Sequence, residues 1–480
     1  MHLIISSIHT YTIMALSLTP SLQYLLVSSL MILLVLLYIS YWRSKYQSLF
    51  PVDWPIVGLL PTLVANLHRL HDKITEYLAA SGHSFTGNGP AASNMRLFVT
   101  CDPDNVRHIF TTNHDNYPKG HEFAEIFDIM AGAFFTMDGE LYRRQRAKTH
   151  SILSDPRMVA SMASSCADKV RDGLLPLLTS MASTRTPFEL QDLATRLMFD
   201  VTAMPAMRRL KIGPERKLAA AHAALHVFVS EMMEKARKQE AAPSSMSMDV
   251  LSSYINDPDY VGLLHSILIT YMVAGRDTVG TTLPWFFYNL AMNPRVVSGI
   301  REELAHNIAT STCNGDGVPV MFSPEDTKSL VYLHAALFET LRLYPPGWIE
   351  RKTVVADDVM PSGHEVRAGD AVLISIYSMG RMESLWGEDC RVYRPERWLY
   401  DSRGGRKMRH VPSHKFLSFN SGPRMCPGKN IAVMQMKIIA AAVVWNFDLE
   451  VVEGQAVVPK LSCLLQMKNG VMVKVKKRAV

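Results

Sequence analysis

Residues 419–428 read FNSGPRMCPG, and the residue among them that could do chemistry is Cys426. Gly422, Pro423, Pro427 and Gly428 keep that cysteine out of a helix or strand interior, since neither residue type suits regular backbone. A helix-patterned stretch follows from about Lys429 to Val444, which puts Cys426 just ahead of a helix N-terminus. Backbone N–H groups and the positive end of the helix dipole there favour a thiolate over a thiol. A thiolate offered from a loop to a flat cofactor is an axial iron ligand. Arg424, two residues earlier, carries the planar fork that pairs with a carboxylate bidentately.

Two helix-patterned segments hold the next candidates. AGRDT, residues 274–278, lies inside a long apolar run that starts near Leu263. Ala274 and Thr278 are one helical turn apart, so a methyl and a hydroxyl share one side. Gly275 lacks a side chain, and the groove it leaves is expected to admit a diatomic ligand. A mid-helix threonine such as Thr278 bonds back to the preceding turn or opens the helix ladder. Asp277 beside it completes the composition of a proton relay. In ETLR, Glu339 and Arg342 stand at i and i+3 and therefore share a helix face.

These residues need a large scaffold, and the chain supplies one. Its 480 residues are 48% hydrophobic and 20% charged, which excludes a disordered chain. From about Leu63 onward the pattern is mostly helical, with short β-like runs at 96–100 and 371–376. No repeat period appears, which excludes a solenoid or propeller. The linker-like stretches 239–248 and 310–319 are surface loops that do not separate segments of different composition. We therefore expect one α-rich domain with small β-sheets over residues 63–480. The net charge of +6 is spread without a basic run, which argues against a nucleic-acid partner and leaves a mild pull toward acidic partners or anionic lipid. Six cysteines without a CxxC pair suggest neither a zinc site nor a disulfide scaffold, and point to a reducing, cytosol-facing compartment.

The N-terminus reads as an anchor. No Lys, Arg, Asp or Glu occurs from Met1 to Trp42, and residues 22–41 are almost wholly apolar, long enough for one transmembrane helix. Arg43 and Lys45 follow at once, which places the remainder of the chain in the cytosol. The expected division is an extension over 1–21, an anchor over 22–42, a basic, proline-rich hinge over 43–62, and then the body. Pro51, Pro55 and Pro61 stiffen that hinge, and Met14 offers a second start.

The cysteine loop resembles the haem-binding loop of the cytochrome P450 monooxygenases, F-x-x-G-x-R-x-C-x-G, at every fixed position: Phe419, Gly422, Arg424, Cys426 and Gly428. ETLR, then Arg397 in PERW, then the cysteine follow the family's order. The resemblance implies a buried Glu339–Arg342–Arg397 cluster behind haem b, with Cys426 as the iron ligand. It places Phe419, Gly428, Arg424, Ala274 and Gly275 around the cofactor, and Asp277 and Thr278 in proton delivery. Arg146, in YRRQR, matches the arginine of the family's W-x-x-x-R propionate motif, where Tyr142 replaces the usual tryptophan. YSMGRMESLWGEDC and HKFLSFNSGPRMCPGK, with NYPKGHEFAEIFDIM upstream, resemble the plant fatty-acid and alkane hydroxylase clan, within it the mid-chain alkane hydroxylase branch.

That resemblance implies insertion of one oxygen atom into a C–H bond of a long aliphatic chain. NADPH would supply electrons through a flavoprotein, NADPH–cytochrome P450 reductase, at the endoplasmic reticulum membrane. By family position Phe123, Phe127, Phe134, Met272, Trp348 and Leu464 would line the substrate pocket, and Arg424, Lys429 and Lys437 would lie on the reductase side. One departure stands out. Only PAMRRLKIG separates Met204 from Pro214, too short for the helix that roofs the pocket in the family. The alternatives carried forward are a fatty-acid omega-hydroxylase, a haem-thiolate isomerase and a truncated, non-catalytic membrane haem protein.

Overall fold

The computed structural model describes residues 20–46, 51–54, 56–202, 257–308, 318–403 and 405–478, together with 230, 231, 234 and 254. The shortened segment around 204–214, the helical pattern at 215–237 and the stretch 239–248 fall outside these residues, apart from those single positions.

The apolar N-terminal run forms a helix over Pro20–Tyr46, one turn longer at its C-terminal end than the apolar pattern. Its Tyr24–Tyr41 window has a mean hydropathy of 2.2 and none of it is buried in the protein. Leucine, isoleucine and valine are exposed all around it, as on a helix covered by lipid.

The hinge behind the anchor is tied down. Trp54 and Gly58 exchange backbone hydrogen bonds of 3.1 and 2.9 Å, and Leu59 N–H donates to Asn88 O at 2.8 Å. Asn88 Nδ2 in turn donates to Asp53 Oδ2 at 2.6 Å. Gly58 has φ +57°, and a Cβ there would collide with the Asn88 carbonyl, so only glycine closes this buckle.

Asn88 ends the outer strand of a four-stranded sheet. Ser84–Asn88 runs antiparallel to Arg96–Thr100, which lies parallel to Ala371–Ser375, and Ile349–Thr353 closes the far edge antiparallel. The two β-like runs of the sequence are thus direct neighbours, with Leu97 opposite Ala371. A second sheet joins Phe447–Val451, Met472–Lys477 and the short Phe188–Glu189. Two hairpins, Asp358–Val359 with Glu365–Val366 and Leu399–Ser402 with Gly405–Met408, complete the strands among the described residues.

Helices make up the rest of the body. The 29-residue helix Leu264–Met292 runs through the centre, and its C-terminal half is buried on every side, Trp285 and Phe286 included. It packs on Leu190–Thr202, Val331–Leu343 and Lys429–Asn446. The last two contribute fully buried Leu333, Leu337, Ile438 and Ala440 to the same core. A helix apolar all round belongs in such a position.

Candidate active site

Cys426 leaves the loop half-buried, two residues before Gly428, which precedes the first turn of Lys429–Asn446. Its own N–H donates to Phe419 O at 2.7 Å, and Asn420 and Gly422 take positive φ to turn the chain. A Cβ on Gly422 would collide with the Phe110 carbonyl, so glycine is required there. Burial pushes the Cys426 thiol above its ordinary range. The backbone N–H groups of Gly428 and Lys429 and the charges of Arg146 and Lys429 pull the other way without reversing it. Desolvation of the loop thus opposes the thiolate, and the backbone N–H groups at the helix terminus and the two basic side chains favour it.

Behind the loop lies the acid–arginine cluster. Arg342 Nε and Nη2 donate to the two Glu339 oxygens at 2.8 Å each, and both residues are fully buried. Arg397 Nε donates to Glu339 Oε1 at 2.8 Å, Arg394 N–H at 2.9 Å, and Trp398 Nε1 reaches Oε2 at 2.9 Å. Glu339 thus collects five donors, which is what makes a buried carboxylate tolerable. The cluster also grips the loop: Ser418 Oγ donates to Leu341 O at 2.7 Å, and the Phe338 ring lies 5.2 Å from Phe416 and 6.0 Å from Phe419.

On the other flank, Tyr142 Oη donates to Pro423 O at 2.7 Å and Arg146 Nη2 to Met425 O, so Gly139–Ser154 clamps the loop backbone. Arg424 is nine-tenths buried, stacks 3.6 Å over the Tyr142 ring, and pairs through Nη2 with Asp138 and with Met137 O. It makes one contact with the carboxylate, not two, and its Nε is buried without a partner.

Along Leu264–Met292, Ala274 is exposed among partly buried neighbours, in contrast to the buried stretch that begins at Val279. Thr278 Oγ1 donates to Ala274 O at 2.7 Å, the back-bond expected of it. Gly275 serves a different purpose from the one its type suggested. A Cβ there would lie 2.8 Å from Thr202 Cγ2, so the missing side chain admits the neighbouring helix and opens no ligand groove. Asp277 is 3.6 Å from Arg276 and makes no hydrogen bond to Thr278. Burial raises its carboxyl above the usual range, partly offset by Arg276.

The aromatic residues form two groups. Phe123 lies 4.7 Å from Phe127, and Phe135, which the sequence did not single out, touches both at 5.4 and 5.3 Å. Met272 joins Phe127 and Phe135 in one cluster, and Phe134 sits 6.2 Å from Tyr271. Trp348 belongs to a separate group with Tyr377 and Leu465, its Nε1 donating to Ser462 O at 2.7 Å beside half-exposed Leu464.

A charged layer near Arg424 escaped the sequence reading. Lys119 is buried with its Nζ 4.1 Å from the Phe123 ring, 4.0 Å from Phe135 and 3.9 Å from Glu350. Fully buried Lys352 lies 3.3 Å from the same carboxylate, off hydrogen-bond geometry. Burial draws the Lys119 ammonium down to about 7 despite Glu350. Glu350 and Lys352 alternate on Ile349–Thr353, a period-two signal that identifies one shared face.

Residues 203–475 match the sequence pattern of the Cytochrome P450 family. The chain belongs to the cytochrome P450 family. Alkane hydroxylase MAH1 of Arabidopsis thaliana is 34% identical, with 93% of this P450 and 97% of the relative aligned. Noroxomaritidine synthase 2 of Narcissus aff. pseudonarcissus MK-2014 is also 34% identical, over 91% and 93% of the two chains. Cytochrome P450 86B1 of Arabidopsis thaliana is 34% identical over 91% and 87%. The first alignment runs over 500 positions against the 480 residues of this P450, so that relative carries residues with no counterpart here.

P450s hold haem through a cysteine thiolate, and the residues of this one fit that group. The half-buried cysteine sits on a braced loop, and a Cβ on Gly428 would meet only open space. Arg424, Lys119 and Lys352 form a cationic layer that Asp138 and Glu350 incompletely neutralise, with Arg424 Nε left over, and this suits an anionic cofactor edge.

Proposed function

We propose that this P450 hydroxylates a C–H bond of a long aliphatic chain, a very-long-chain alkane or related wax lipid. The balance is RH + O2 + 2 electrons + 2 protons giving ROH and water. Haem b, ligated by Cys426, supplies the oxygen chemistry when bound. The chain's own residues hold, orient and supply protons. Glu339, Arg342 and Arg397 keep the ligand loop rigid, and Arg424, Arg146 and Tyr142 brace the cofactor edge. Asp277, with its raised affinity for protons, passes them toward Thr278 beside the exposed Ala274.

The observation offered for the substrate class is the partly exposed apolar surface of Phe127, Phe135 and Met272, because an extended chain is held by apolar contact area. The relative named as an alkane hydroxylase supports it. The second reading is a fatty-acid omega-hydroxylase, which would need a cation for the substrate carboxylate; Arg351, close to Phe123 in the fold through Glu122, is already engaged by that glutamate.

Electrons would come from NADPH through NADPH–cytochrome P450 reductase. The Pro20–Tyr46 helix would hold the protein in the endoplasmic reticulum membrane as a single span with the body cytosolic. The deciding experiment feeds the reconstituted protein, reductase and NADPH a graded set of alkanes, fatty acids and alcohols. Oxygenated alkanes are the expected products. Exclusive turnover of fatty acids selects the second reading. A reduced, carbon monoxide-bound protein without the red-shifted thiolate Soret band overturns both.

A further inference from the structure

Three tyrosines lead outward from the site. Tyr271 stands on Leu264–Met292 three residues before Ala274 and seven before Thr278, so all three share one helix face. Phe134 lies 6.2 Å from its ring. Arg146, which holds Met425 O beside Cys426, is close enough for its charge to act on the Tyr271 hydroxyl. That hydroxyl lies 3.3 Å from the Tyr254 hydroxyl, which lies 3.2 Å from Thr149 Oγ1. The buried Tyr254 ring is 6.3 Å from Tyr271 and 5.5 Å, edge-on, from Tyr260. Tyr260 ends the column, next in sequence to exposed Asp259.

Phenylalanine would fill the same core without bringing hydroxyls that have to be satisfied. Two phenols in hydrogen-bond contact can do what phenylalanine cannot, which is to exchange an electron and a proton together. A second aromatic column lacks that property. Trp285 stacks 4.0 Å on Tyr344, but buried Arg381 lies 5.3 Å over Tyr344 and 3.5 Å over Tyr377. Among the described residues Arg381 makes no ion pair, and an unpaired cation on a ring opposes loss of an electron from it. On the first column Lys148, 4.6 Å from Tyr254 and 4.7 Å from Tyr260, is neutralised by Asp257.

We propose that Tyr271, Tyr254 and Tyr260 form a relay that drains oxidising equivalents from the cofactor when no substrate takes them. This rests on the monooxygenase reading. With peroxide as the oxidant, H2O2 + 2 electrons + 2 protons gives two waters. Each tyrosine oxidised supplies one electron and one proton to that reduction and becomes a neutral phenoxyl radical. The radical moves outward when Tyr271–O• takes a hydrogen atom from Tyr254–OH across their hydroxyl contact. A small thiol in solution then restores the phenol, Tyr–O• + RSH giving Tyr–OH + RS•, with the electron entering through the Tyr260 ring. Two thiyl radicals join as a disulfide, so the sum is H2O2 + 2 RSH giving 2 H2O + RSSR.

The test uses the full chain in nanodiscs, loaded with haem and free of substrate, beside Tyr271→Phe, Tyr254→Phe and Tyr260→Phe. Each change keeps the ring and removes the hydroxyl. Dithionite and carbon monoxide should give the same thiolate band in every protein; a variant that fails this is set aside, and the others carry the test. After mixing with peroxide and freeze-quenching, electron paramagnetic resonance should show a tyrosyl radical in the unaltered protein. Tyr271→Phe should lose that signal and bleach severalfold faster in peroxide. Tyr254→Phe and Tyr260→Phe should keep a radical that added glutathione no longer quenches. An unchanged signal and bleaching rate in Tyr271→Phe overturn the relay. A signal that survives Tyr271→Phe but disappears in Tyr344→Phe assigns the route to the other column and also overturns it. Absence of the thiolate band from the unaltered protein, with the radical pattern intact, defeats the monooxygenase reading and not the relay.

Discussion

The two sides of this site are held by different forces. Around Glu339, five donors converge on one fully buried carboxylate, and each has a fixed direction. Around Phe123, three rings meet at 4.7 to 5.4 Å with no hydrogen bond among them. Directional bonding fixes one arrangement, whereas ring contacts tolerate several at small cost. The ligand side is therefore built to stay the same, and the chain side to vary. Relatives at equal 34% identity fit this contrast, one named an alkane hydroxylase and another a noroxomaritidine synthase.

Substitutions can probe the contrast from its strong end downward. Cys426→Ser should abolish both turnover and the red-shifted carbon monoxide band, since no other residue of the loop offers a thiolate. Retention of that band would remove the ligand side from the comparison. Glu339→Ala leaves the buried Arg342 guanidinium with only backbone carbonyls, while Arg397 keeps Asp389, and should cost about 3–5 kcal/mol, read by denaturant unfolding together with haem content. A variant as stable as the parent would show that the cluster is not the rigid element. Thr278→Val should keep the band and the stability but lower product formed per NADPH by about a hundredfold, the scale of a lost proton-transfer group. Equal coupling would leave the hydroxyl with only its back-bond to Ala274.

Two smaller effects test the pliable side and its border. Phe127→Ala should cost only about 1–2 kcal/mol because the ring is half-buried, yet change which carbon of the chain is oxidised. An unchanged product pattern would detach this ring from the pocket. Asp277 has a folded pKa raised by burial, so its contribution to stability is full below the ordinary carboxylate range and is lost as pH rises through the raised value. Asp277→Asn should therefore raise the melting temperature slightly at neutral pH and change it little in acid. A lower melting temperature at neutral pH would show that the Arg276 pair outweighs the burial.

The same contrast explains what could be read from the amino acids. Directional clusters need particular residue types at fixed spacing, so Cys426, Glu339, Arg342 and Arg397 were visible as motifs. Gly275 was visible too, but type alone does not say which way a missing side chain faces, and Thr202 occupies that side. The thiol's raised pKa was hidden because helix termini can be inferred locally, whereas burial comes from distant packing. Glu350 and Lys352 were hidden because charged residues in a short strand ordinarily face water, and Lys119 because it sits in an irregular segment with no pattern to read. Only the sheet pairing of Ile349–Thr353 reveals the inward face. Of the residues expected at the pocket, Phe123 packs on Phe127 and Phe127 and Met272 share a cluster, while Phe135, unnamed by the sequence, touches both rings and Phe134 lies beside Tyr271.

The clamp on the ligand loop has a consequence for biosynthesis. Tyr142, Arg146 and Asp138 grip residues 423–425 across sequence separations of 281, 279 and 286 residues. On a ribosome adding about 5–20 residues per second, the N-terminal half of the clamp waits tens of seconds for its counterpart to emerge. Over that interval the Pro20–Tyr46 helix has already left the exit tunnel, long before the cofactor cradle is complete. Cofactor capture is thereby scheduled last, as an event that follows synthesis of nearly the whole chain.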